Sequence, residues 1–319
     1  MRKGGMAKAL ICKSAGEWAQ VLSLQETVLP PAPPPGMARV RMLAAAIHPS
    51  DFGMIAGTYG KAKTFPCVMG REGVGEIIEG EGKGGIVRIP EETGAWQEIM
   101  DVPVSGLFSC PSDLKPEQLA LSFINPPTAM RMLEDFTALK EGDAVITNAG
   151  KSAVSQALVQ LASSRGLKPH AVVRNKTPED EAWLKSLGAS DVWDETQEYF
   201  KEVKAALALN QVGGESVLRL VKSLRDHGVC VTIGGASKDP VRYPTRELIF
   251  KDAQLRGFWF DRWSRDNPSQ GRPTMEKIWQ LMREGKLTQE IAGKYKLDNY
   301  KEALTKAGES RRGKIIFVA

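Results

Sequence analysis

The sequence predicts an α/β protein with two domains, a β-rich domain and an open parallel sheet flanked by helices. The length of 319 residues corresponds to two domains of about 150 residues each. In the first part of the chain, Pro-rich and Gly-rich turns separate short apolar runs, a pattern typical of antiparallel strands. After Pro116, strands alternate with helices over about 120 residues, which favours a parallel sheet.

The β-rich part is predicted to be compact and mostly antiparallel, because turns interrupt its short apolar runs. Its strands are expected at residues 7–12, 38–46, 74–78 and 97–102. A last strand, at 313–318, follows the α/β part of the chain and is expected to rejoin the first domain.

The second part opens with two helical segments, at 117–122 and 127–139. Apolar residues then recur at the spacing of one helix face from Ala153 to Ala162, which predicts a helix that ends near Gly166. The rest of the alternation comprises predicted strands at 143–147, 170–173, 228–233 and 254–259, a short apolar segment at 205–209, and helices at 178–187, 216–224 and 274–284.

Composition excludes several classes of protein. With 42% hydrophobic and 25% charged residues, the chain has ordinary globular usage and is not collagen-like, coiled-coil or wholly disordered. No run approaches the roughly 20 apolar residues of a membrane span. The four cysteines lie far apart and form no C-x-x-C pair. We therefore expect a reducing compartment, with neither a disulfide framework nor a cysteine-rich zinc module.

The net charge and the N-terminal sequence indicate no particular function. The net charge of +5 is spread along the chain, as on a solvated surface of mixed charge, and a polyanionic small ligand is the sharper alternative. No basic run with interleaved aromatic residues favours nucleic acid. The first residues, MRKGGMAKALI, lack the apolar core of a signal peptide and the composition of a transit peptide.

A dinucleotide site is predicted where the strand at 143–147 turns into the next helix. Such a turn points backbone N–H groups and the positive end of the helix dipole at an anion. The usual G-x-G-x-x-G fingerprint is reduced here to Gly150 among other small residues, so a plain helix-packing turn stays open. The predicted cofactor contacts in this turn are Lys151, Ser152, Ala153 and Val154.

The end of the second strand of this unit predicts which dinucleotide is bound. Units that bind NAD usually carry Asp or Glu there, to accept from the ribose 2′-OH. This chain has Arg174-Asn175-Lys176, which attracts a 2′-phosphate and favours NADPH. An exposed basic turn without a ligand is the alternative.

At this point the sequence resembles a known family. Its motifs are similar to those of the medium-chain dehydrogenase/reductase superfamily, and within it to the mitochondrial-type trans-2-enoyl-thioester reductases. They extend almost from end to end, and the run 248–263 is the most specific to enoyl reductases. Examples are His48-Pro49-Ser50-Asp51, Gly57-Thr58-Tyr59-Gly60, Gly70-Arg71-Glu72-Gly73-Val74 and Asn125-Pro126-Pro127-Thr128-Ala129.

The resemblance implies a fold and a domain order. A GroES-like domain would comprise residues 1–120 together with the C-terminal part, 266–319. A Rossmann domain with a doubly wound parallel sheet would comprise residues 121–265. The cleft would hold cofactor and substrate.

The resemblance also implies an activity, the NADPH-dependent reduction of enoyl-CoA or enoyl-acyl-carrier-protein thioesters to saturated thioesters in fatty acid synthesis. Tyr59 is the implied proton donor, and the alternative is a loop tyrosine packed on the cofactor. The remaining implied cofactor contacts are Asn125, Ile233, Gly234, Gly235, Ala236, Phe258, Trp259, Phe260 and Lys314. A quinone or enone reductase of the same superfamily, or a weakly catalytic NADPH-binding protein, stays open.

Several of these contacts also have an ordinary structural interpretation. Asn125 could cap a helix before the two prolines that follow it. Phe258 and Trp259 could be core aromatics at a strand end, and Lys314 could be a surface lysine.

No metal is expected, because the ligand set of the zinc-dependent relatives is missing. Zinc takes Cys or His ligands in a tetrahedral arrangement. The turn that carries a ligand His in those relatives has Arg71 here, which cannot ligate, and His48 has no partner ligands in the sequence. Enoyl reductases more usually have Asn at both positions. The stretch 76–94 is also shorter than its family counterpart.

The run from Leu248 to Phe260 predicts a homodimer. Its second apolar stretch would form an edge strand, which is a liability unless something covers it. Pairing with the same strand across a two-fold axis is the simplest cover, and family members dimerise in this manner. The implied location is the cytoplasm for a bacterial protein, or the mitochondrial matrix for a eukaryotic one whose transit peptide has been removed.

Overall fold

The computed structural model describes residues 5–319, which divide into two compact units. One unit contains residues 5–123 together with Glu290–Ala319, and the other contains Ile124–Gln289. The first boundary lies close to the predicted one. The chain returns to the first unit at Glu290 rather than at residue 266, because the helix Pro268–Arg283 packs on the helix Asn125–Asp135 of the second unit.

Up to Phe123 the chain is dominated by strands, with short helices between them. The strands are β1 (Met6–Cys12), β2 (Leu22–Val28), β3 (Met37–Ala46), β4 (Cys67–Val68), β5 (Gly73–Glu79), β6 (Ile86–Arg88), β7 (Ile99–Pro103) and β8 (Phe108–Cys110). The helices are α1 (Trp18–Val21), α2 (Pro49–Ile55) and α3 (Pro116–Leu119).

Strands and helices then alternate through the second unit. Its strands are β9 (Ala144–Thr147), β10 (Lys168–Val173), β11 (Asp191–Asp194), β12 (Ala205–Asn210), β13 (Leu224–Thr232) and β14 (Gln254–Gly257). Its helices are α4 (Asn125–Asp135), α5 (Ala153–Ser163), α6 (Pro178–Ser186), α7 (Gly214–Lys222), α8 (Thr245–Phe250), α9 (Phe260–Asp266) and α10 (Pro268–Arg283).

The end of the chain adds β15 (Ile291–Tyr295), α11 (Tyr300–Gly308) and β16 (Lys314–Val318) to the first unit. As predicted, the last strand rejoins the first domain, where β16 pairs antiparallel with β3. In the core, Phe317 of β16 meets Trp96 edge to face, with ring centroids 5.5 Å apart, and both side chains are fully buried. This aromatic contact fastens the C-terminal strand to the N-terminal part of the chain.

The first unit holds two sheets. The larger has the order β15-β16-β3-β5-β6-β8, with β7 also paired to β3, and the smaller has the order β2-β1-β4. Pairing is antiparallel throughout except between β15 and β16. Sequence reasoning missed several elements of this unit that are short or carry mixed polar and apolar residues, namely α1, β2, α2, β4, β6, β8, β15 and α11.

The second unit is a six-stranded parallel sheet with the order β11-β10-β9-β12-β13-β14. The strand order reverses between β9 and β12, which makes the carboxyl ends of these two strands the topological switch point. The predicted fold class, a GroES-like domain with a doubly wound parallel sheet, is confirmed. Among the described residues, no helix is both long and apolar enough to cross a membrane.

Candidate functional site

The predicted cofactor contacts of the second unit collect along one edge of its sheet. The turns at 148–152, 174–176, 233–236 and 258–260 follow the carboxyl ends of β9, β10, β13 and β14. Ligands of open parallel sheets bind outside this edge, at the switch point. The parallel fold therefore brings together residues that are up to about 110 positions apart in the chain.

The turn between β9 and α5 depends on one glycine. A Cβ at Gly150 would lie 2.9 Å from Val173 Cγ1 and 3.1 Å from Val172 O, so a side chain does not fit against β10. Ala149 adopts a left-handed conformation with φ of 48°, and Ser152 caps α5 by accepting from Ser155 N at 3.1 Å. The half-buried segment 151–154 thus presents the head of α5, whose first N–H groups have no partner within the helix.

A polar network that the sequence analysis missed spans the switch point. Asn148 Nδ2 donates to Asn210 Oδ1 at 2.9 Å, and Gln211 N donates to Asn148 Oδ1 at 2.7 Å. The Gln211 side chain donates to Ser155 Oγ at 2.7 Å and accepts from Ser152 Oγ at 2.8 Å. The signal was available in the polar residues that directly follow the buried strands β9 and β12. The network holds the head of α5 against the end of β12.

The three basic-turn residues behave differently. Lys176 Nζ donates to Glu181 at 3.0 Å and to Val192 O at 3.1 Å, so its charge is already engaged. Asn175 has a φ of 53° and lets the chain turn away from β10. Arg174 is exposed, and its guanidinium has no hydrogen bond or ion pair to any part of residues 5–319. Arg174 is therefore the better candidate for the contact with a 2′-phosphate.

The surroundings of two further predicted contacts, Lys151 and Asn125, bear on their role. Lys151 Nζ lies 3.1 Å from Asp180 Oδ2, which neutralises its charge beside the helix head. Asn125 is the first residue of α4 rather than its cap, and its Nδ2 is buried without a hydrogen-bond partner among the described residues. A buried amide donor of this kind suits a ligand oxygen.

The remaining contacts of this edge form its turns and its wall. Gly234 lies against the backbone of Gln211, where a Cβ would meet the carbonyl oxygen at 3.0 Å. Phe258 packs edge to face on Phe136 at 5.9 Å, and Phe260 stacks on Trp263 at 5.7 Å. The aromatic residues Phe258, Trp259 and Phe260 are half-buried, so each keeps an accessible surface. The edge therefore offers a helix head, aromatic surface and a guanidinium without a partner among the described residues, which together fit a phosphorylated dinucleotide.

In the first unit, Tyr59 lies beside the guanidinium of Arg71. Arg71 Nη1 donates to Tyr59 Oη at 3.0 Å and to Ser50 Oγ at 2.9 Å. The guanidinium carbon also lies 4.9 Å from the centroid of the Tyr59 ring. Tyr59 is half-buried, whereas Arg71 is only 3% exposed. From the sequence, Arg71 is noted for its inability to bind zinc and as a departure from the Asn implied by the family resemblance, and its contact with Tyr59 is not predicted.

Behind Arg71 lies a buried cluster built on His48. His48 Nε2 lies 2.5 Å from Glu72 Oε2, and Lys314 Nζ lies 3.1 Å from His48 Nδ1. Because the carboxylate only accepts, Nε2 carries the proton and Nδ1 accepts from the lysine. Lys314 also donates to Ile47 O at 3.2 Å. Lys314 is therefore not a surface lysine. Two of its three donors are used within the first unit, and its contact with the cofactor stays a prediction.

Burial controls the protonation of this cluster. It lowers the pKa of the His48 imidazole, with a further contribution from the Lys314 charge, and it raises the pKa of the Asp51 carboxyl. It also lowers the pKa of the Lys314 amine to about 8. Burial by itself would raise the pKa of Glu91, but the charges of Arg71 and Lys61 bring it below its usual value.

Within the described ranges, no group of three or more His, Cys, Asp or Glu side chains could hold a metal ion. The four cysteines are free thiols. The absence of a metal from the working protein stays a prediction.

Comparison with known proteins places this fold in a family. Residues 34–93 match the family described as alcohol dehydrogenase GroES-like domain, and residues 153–282 match zinc-binding dehydrogenase. The mitochondrial enoyl-acyl-carrier-protein reductase of Bos taurus is 38% identical over 316 residues, which cover 93% of this chain and 84% of that protein. The chain belongs to the family of mitochondrial enoyl-thioester reductases.

Solved structures agree with this membership. The complex of Etr1p with NADP and crotonyl-CoA is 25% identical and aligns over 99% of this reductase-family chain and 100% of its own, with a TM-score of 0.90. The heterodimer of the mitochondrial 2-enoyl thioester reductases Etr1p and Etr2p from Candida tropicalis matches with 25% identity, the same coverage and a TM-score of 0.88.

The buried amine of Lys314 predicts a pH dependence of stability. In the unfolded chain the amine stays charged up to its ordinary pKa of 10.5, whereas in the folded protein it loses its proton near pH 8. Between these values unfolding takes up a proton, so the contribution of Lys314 to stability rises with pH. We expect the free energy of unfolding of the wild type, minus that of Lys314→Met, to increase from pH 8 to pH 10.5.

Chemical denaturation at a series of pH values measures this difference. Lys13→Met, which removes an exposed lysine from the same unit, is the control and should give a flat difference. A flat difference for Lys314→Met as well would contradict the prediction.

Proposed function

We propose that this chain uses NADPH to reduce trans-2-enoyl thioesters, carried on coenzyme A or acyl-carrier protein, to saturated acyl thioesters. The observation that carries the proposal is the 38% sequence identity to the bovine enoyl reductase, which extends over 93% of the chain. The fold match to a protein that holds NADP and crotonyl-CoA supports the same substrate class.

The carboxyl edge of the parallel sheet would hold the cofactor. The head of α5 faces the diphosphate, Arg174 binds the 2′-phosphate, and the Asn125 amide donates to a ribose or nicotinamide oxygen. Phe258 and Trp259 supply apolar surface beside the nicotinamide. When bound, NADPH supplies a hydride to the β-carbon of the enoyl group.

Tyr59 would supply the proton. Addition of a hydride at the β-carbon moves the electron pair of the C=C bond toward the thioester, which gives an enolate. The enolate then takes one proton at the α-carbon, so one enoyl thioester, one hydride and one proton give one acyl thioester. A phenol can donate this proton, or a hydrogen bond to the enolate oxygen. The family motif that contains Tyr59 and the contact of its hydroxyl with Arg71 support this assignment.

A panel of substrates tests the proposal. NADPH consumption is measured with crotonyl-CoA, with a longer enoyl-CoA, with a quinone and without acceptor. The proposal expects turnover with the thioesters. Turnover with the quinone alone would support the related quinone reductase, and binding of NADPH without turnover would support a weakly catalytic binding protein.

The preference for NADPH depends on Arg174. A charge-assisted contact contributes roughly 1.5–3 kcal/mol, so Arg174→Ala should lower kcat/KM for NADPH about 10- to 100-fold and leave NADH use almost unchanged. Lys168→Ala, an exposed lysine at the opposite end of β10, is the matched control. Equal kcat/KM for the two cofactors in the wild type would refute this assignment.

The role of Tyr59 is tested by Tyr59→Phe, which keeps the ring and removes the hydroxyl. General acid catalysis typically contributes 10²–10⁴-fold, so kcat with crotonyl-CoA should fall at least about 10²-fold while NADPH affinity changes little. Tyr300→Phe removes a hydroxyl from the same unit and should have little effect. Single-turnover NADPH oxidation and product formation are the measurements, and wild-type rates for both in Tyr59→Phe would remove Tyr59 from the mechanism.

We also propose that the chain forms a homodimer through β14. This strand is an edge of the six-stranded sheet, and all four of its residues are exposed. Leu255 in this strand is 36% exposed, and Ile249 and Phe250 in the preceding helix α8 are 66% and 72% exposed. An exposed apolar edge pairs readily with a second copy. The heterodimer of the Candida tropicalis reductases supports an assembly of two chains.

Light scattering at micromolar concentration should give twice the chain mass of 34.9 kDa. Phe250→Asp should shift the protein toward one chain mass, because it places a charge in the covered surface. Val28→Asp, at an apolar residue that is 75% exposed in the other unit, is the control and should stay dimeric. A single chain mass for the wild type would contradict the proposal.

The relatives support only part of the proposed cellular location. The named bovine relative is mitochondrial. We propose the mitochondrial matrix if the source is eukaryotic and the cytoplasm if it is bacterial.

A further inference from the structure

Arg71 is held on three sides before it reaches Tyr59. Its backbone N–H donates to Asp51 Oδ1 at 3.1 Å, and Nη1 donates to Ser50 Oγ at 2.9 Å. Nε and Nη2 face the carboxylate of Glu91, each with an N–O distance of 3.5 Å. The side chain is buried, so its guanidinium has little freedom to move. These contacts aim Nη1 at the Tyr59 hydroxyl oxygen.

This contact has a directional consequence for Tyr59. A guanidinium has donors and no acceptor, so the phenol oxygen accepts from Arg71 and cannot donate to it. The Tyr59 proton is therefore directed away from Arg71, toward a different acceptor. A hydroxyl that accepts from a cation is also a stronger donor, because the cation draws electron density from its oxygen.

The charges around the Arg71–Tyr59 pair also favour the loss of a proton from Tyr59. Arg71 is the cation in contact with the phenol, and it is balanced by Glu91, which lies on the far side of the guanidinium. Lys61 forms a second ion pair with Glu91 at 3.2 Å, and the buried Asp51 holds the Arg71 backbone. After a proton leaves Tyr59, the positive charge beside the oxygen stabilises the phenolate.

We propose that Arg71 is a positioning residue for proton transfer, which orients the Tyr59 hydroxyl toward the substrate and stabilises the phenolate left behind. The inference rests on the proposed enoyl-thioester reduction and adds a residue to it. A lysine would retain the charge but not the forked geometry that spans Ser50, Tyr59 and Glu91.

A double-mutant cycle tests the inference. Product formation is followed in single turnovers with NADPH and crotonyl-CoA for the wild type, Arg71→Met, Tyr59→Phe and the double variant. If Arg71 acts through Tyr59, Arg71→Met should slow the reaction about 10- to 100-fold when Tyr59 is present. In the Tyr59→Phe background the same change should slow it less than about twofold, because the coupled group is already gone.

The matched control is Arg88→Met. Arg88 belongs to the same unit, and its guanidinium carbon lies 5.1 Å from the centroid of the Phe123 ring. This variant removes one cation and one ring contact without touching Tyr59, so it should leave the rate unchanged. Arg71→Lys should be intermediate between wild type and Arg71→Met, since it restores a donor but not the fork.

Loss of Arg71 could harm folding, because it leaves the half-buried carboxylate of Glu91 with less compensation. The cycle is therefore repeated in a Glu91→Gln background, in which loss of Arg71 leaves no carboxylate charge at position 91 without its partner. NADPH binding, measured by fluorescence titration, shows in every variant that the cofactor site is intact. The expected result is a reduced rate of product formation with unchanged NADPH affinity.

The outcomes separate this inference from the proposed function. Reduction of crotonyl-CoA by the wild type with additive effects of the two substitutions overturns the role of Arg71 and leaves the proposed function standing. Coupling between the substitutions supports both. A wild type that binds NADPH but does not reduce the thioester overturns both.

Discussion

The buried carboxylate of Asp51 connects the chemically important parts of the first unit. One oxygen accepts from the backbone of His48 at 2.7 Å, and the other accepts from the backbone of Arg71 at 3.1 Å. These two backbone positions belong to the start of α2 and to the turn before β5. The side chain of His48 forms the cluster with Glu72 and Lys314, and the side chain of Arg71 reaches Tyr59. A charged group without solvent is costly, and its two N–H partners offset that cost.

The His48 cluster shows how this chain accommodates buried charge. Lys314, His48 and Glu72 form a line in which an ammonium, an imidazole and a carboxylate follow one another by hydrogen bonds. Glu72 uses its other oxygen to accept from Phe123 N at 2.6 Å. Each polar atom in the line has a partner, which is the condition for such a cluster to be tolerated in a core. Lys314 comes from the last strand, so the cluster also fastens the end of the chain to the first unit.

In the second unit, the switch point is organised by side-chain amides rather than by glycines. Gly150 provides the close approach to β10, whereas Ser155 and Gln211 fill the space at the head of α5 with a hydrogen-bonded network. Each donor of the Gln211 side chain is satisfied within this network, which makes the turn rigid. A turn with few glycines is therefore compatible with a well-formed anion-binding helix head.

The sequence by itself determined the parallel sheet, the antiparallel first domain, the rejoining strand and the turns that follow each parallel strand. These features depend on local periodicity and turn chemistry, which neighbouring residues encode. Only the tertiary structure decided the partners of the charged side chains, because those partners are distant in sequence. Lys314 meets His48, and Lys176 is engaged by Glu181 and Val192. Arg174, close to Lys176 in the chain, has no partner within residues 5–319. The contact of Arg71 with Tyr59 likewise depends on Asp51 and Glu91, which hold Arg71 in place. These residues are brought together by tertiary packing, and their spacing in the sequence does not reveal the contact.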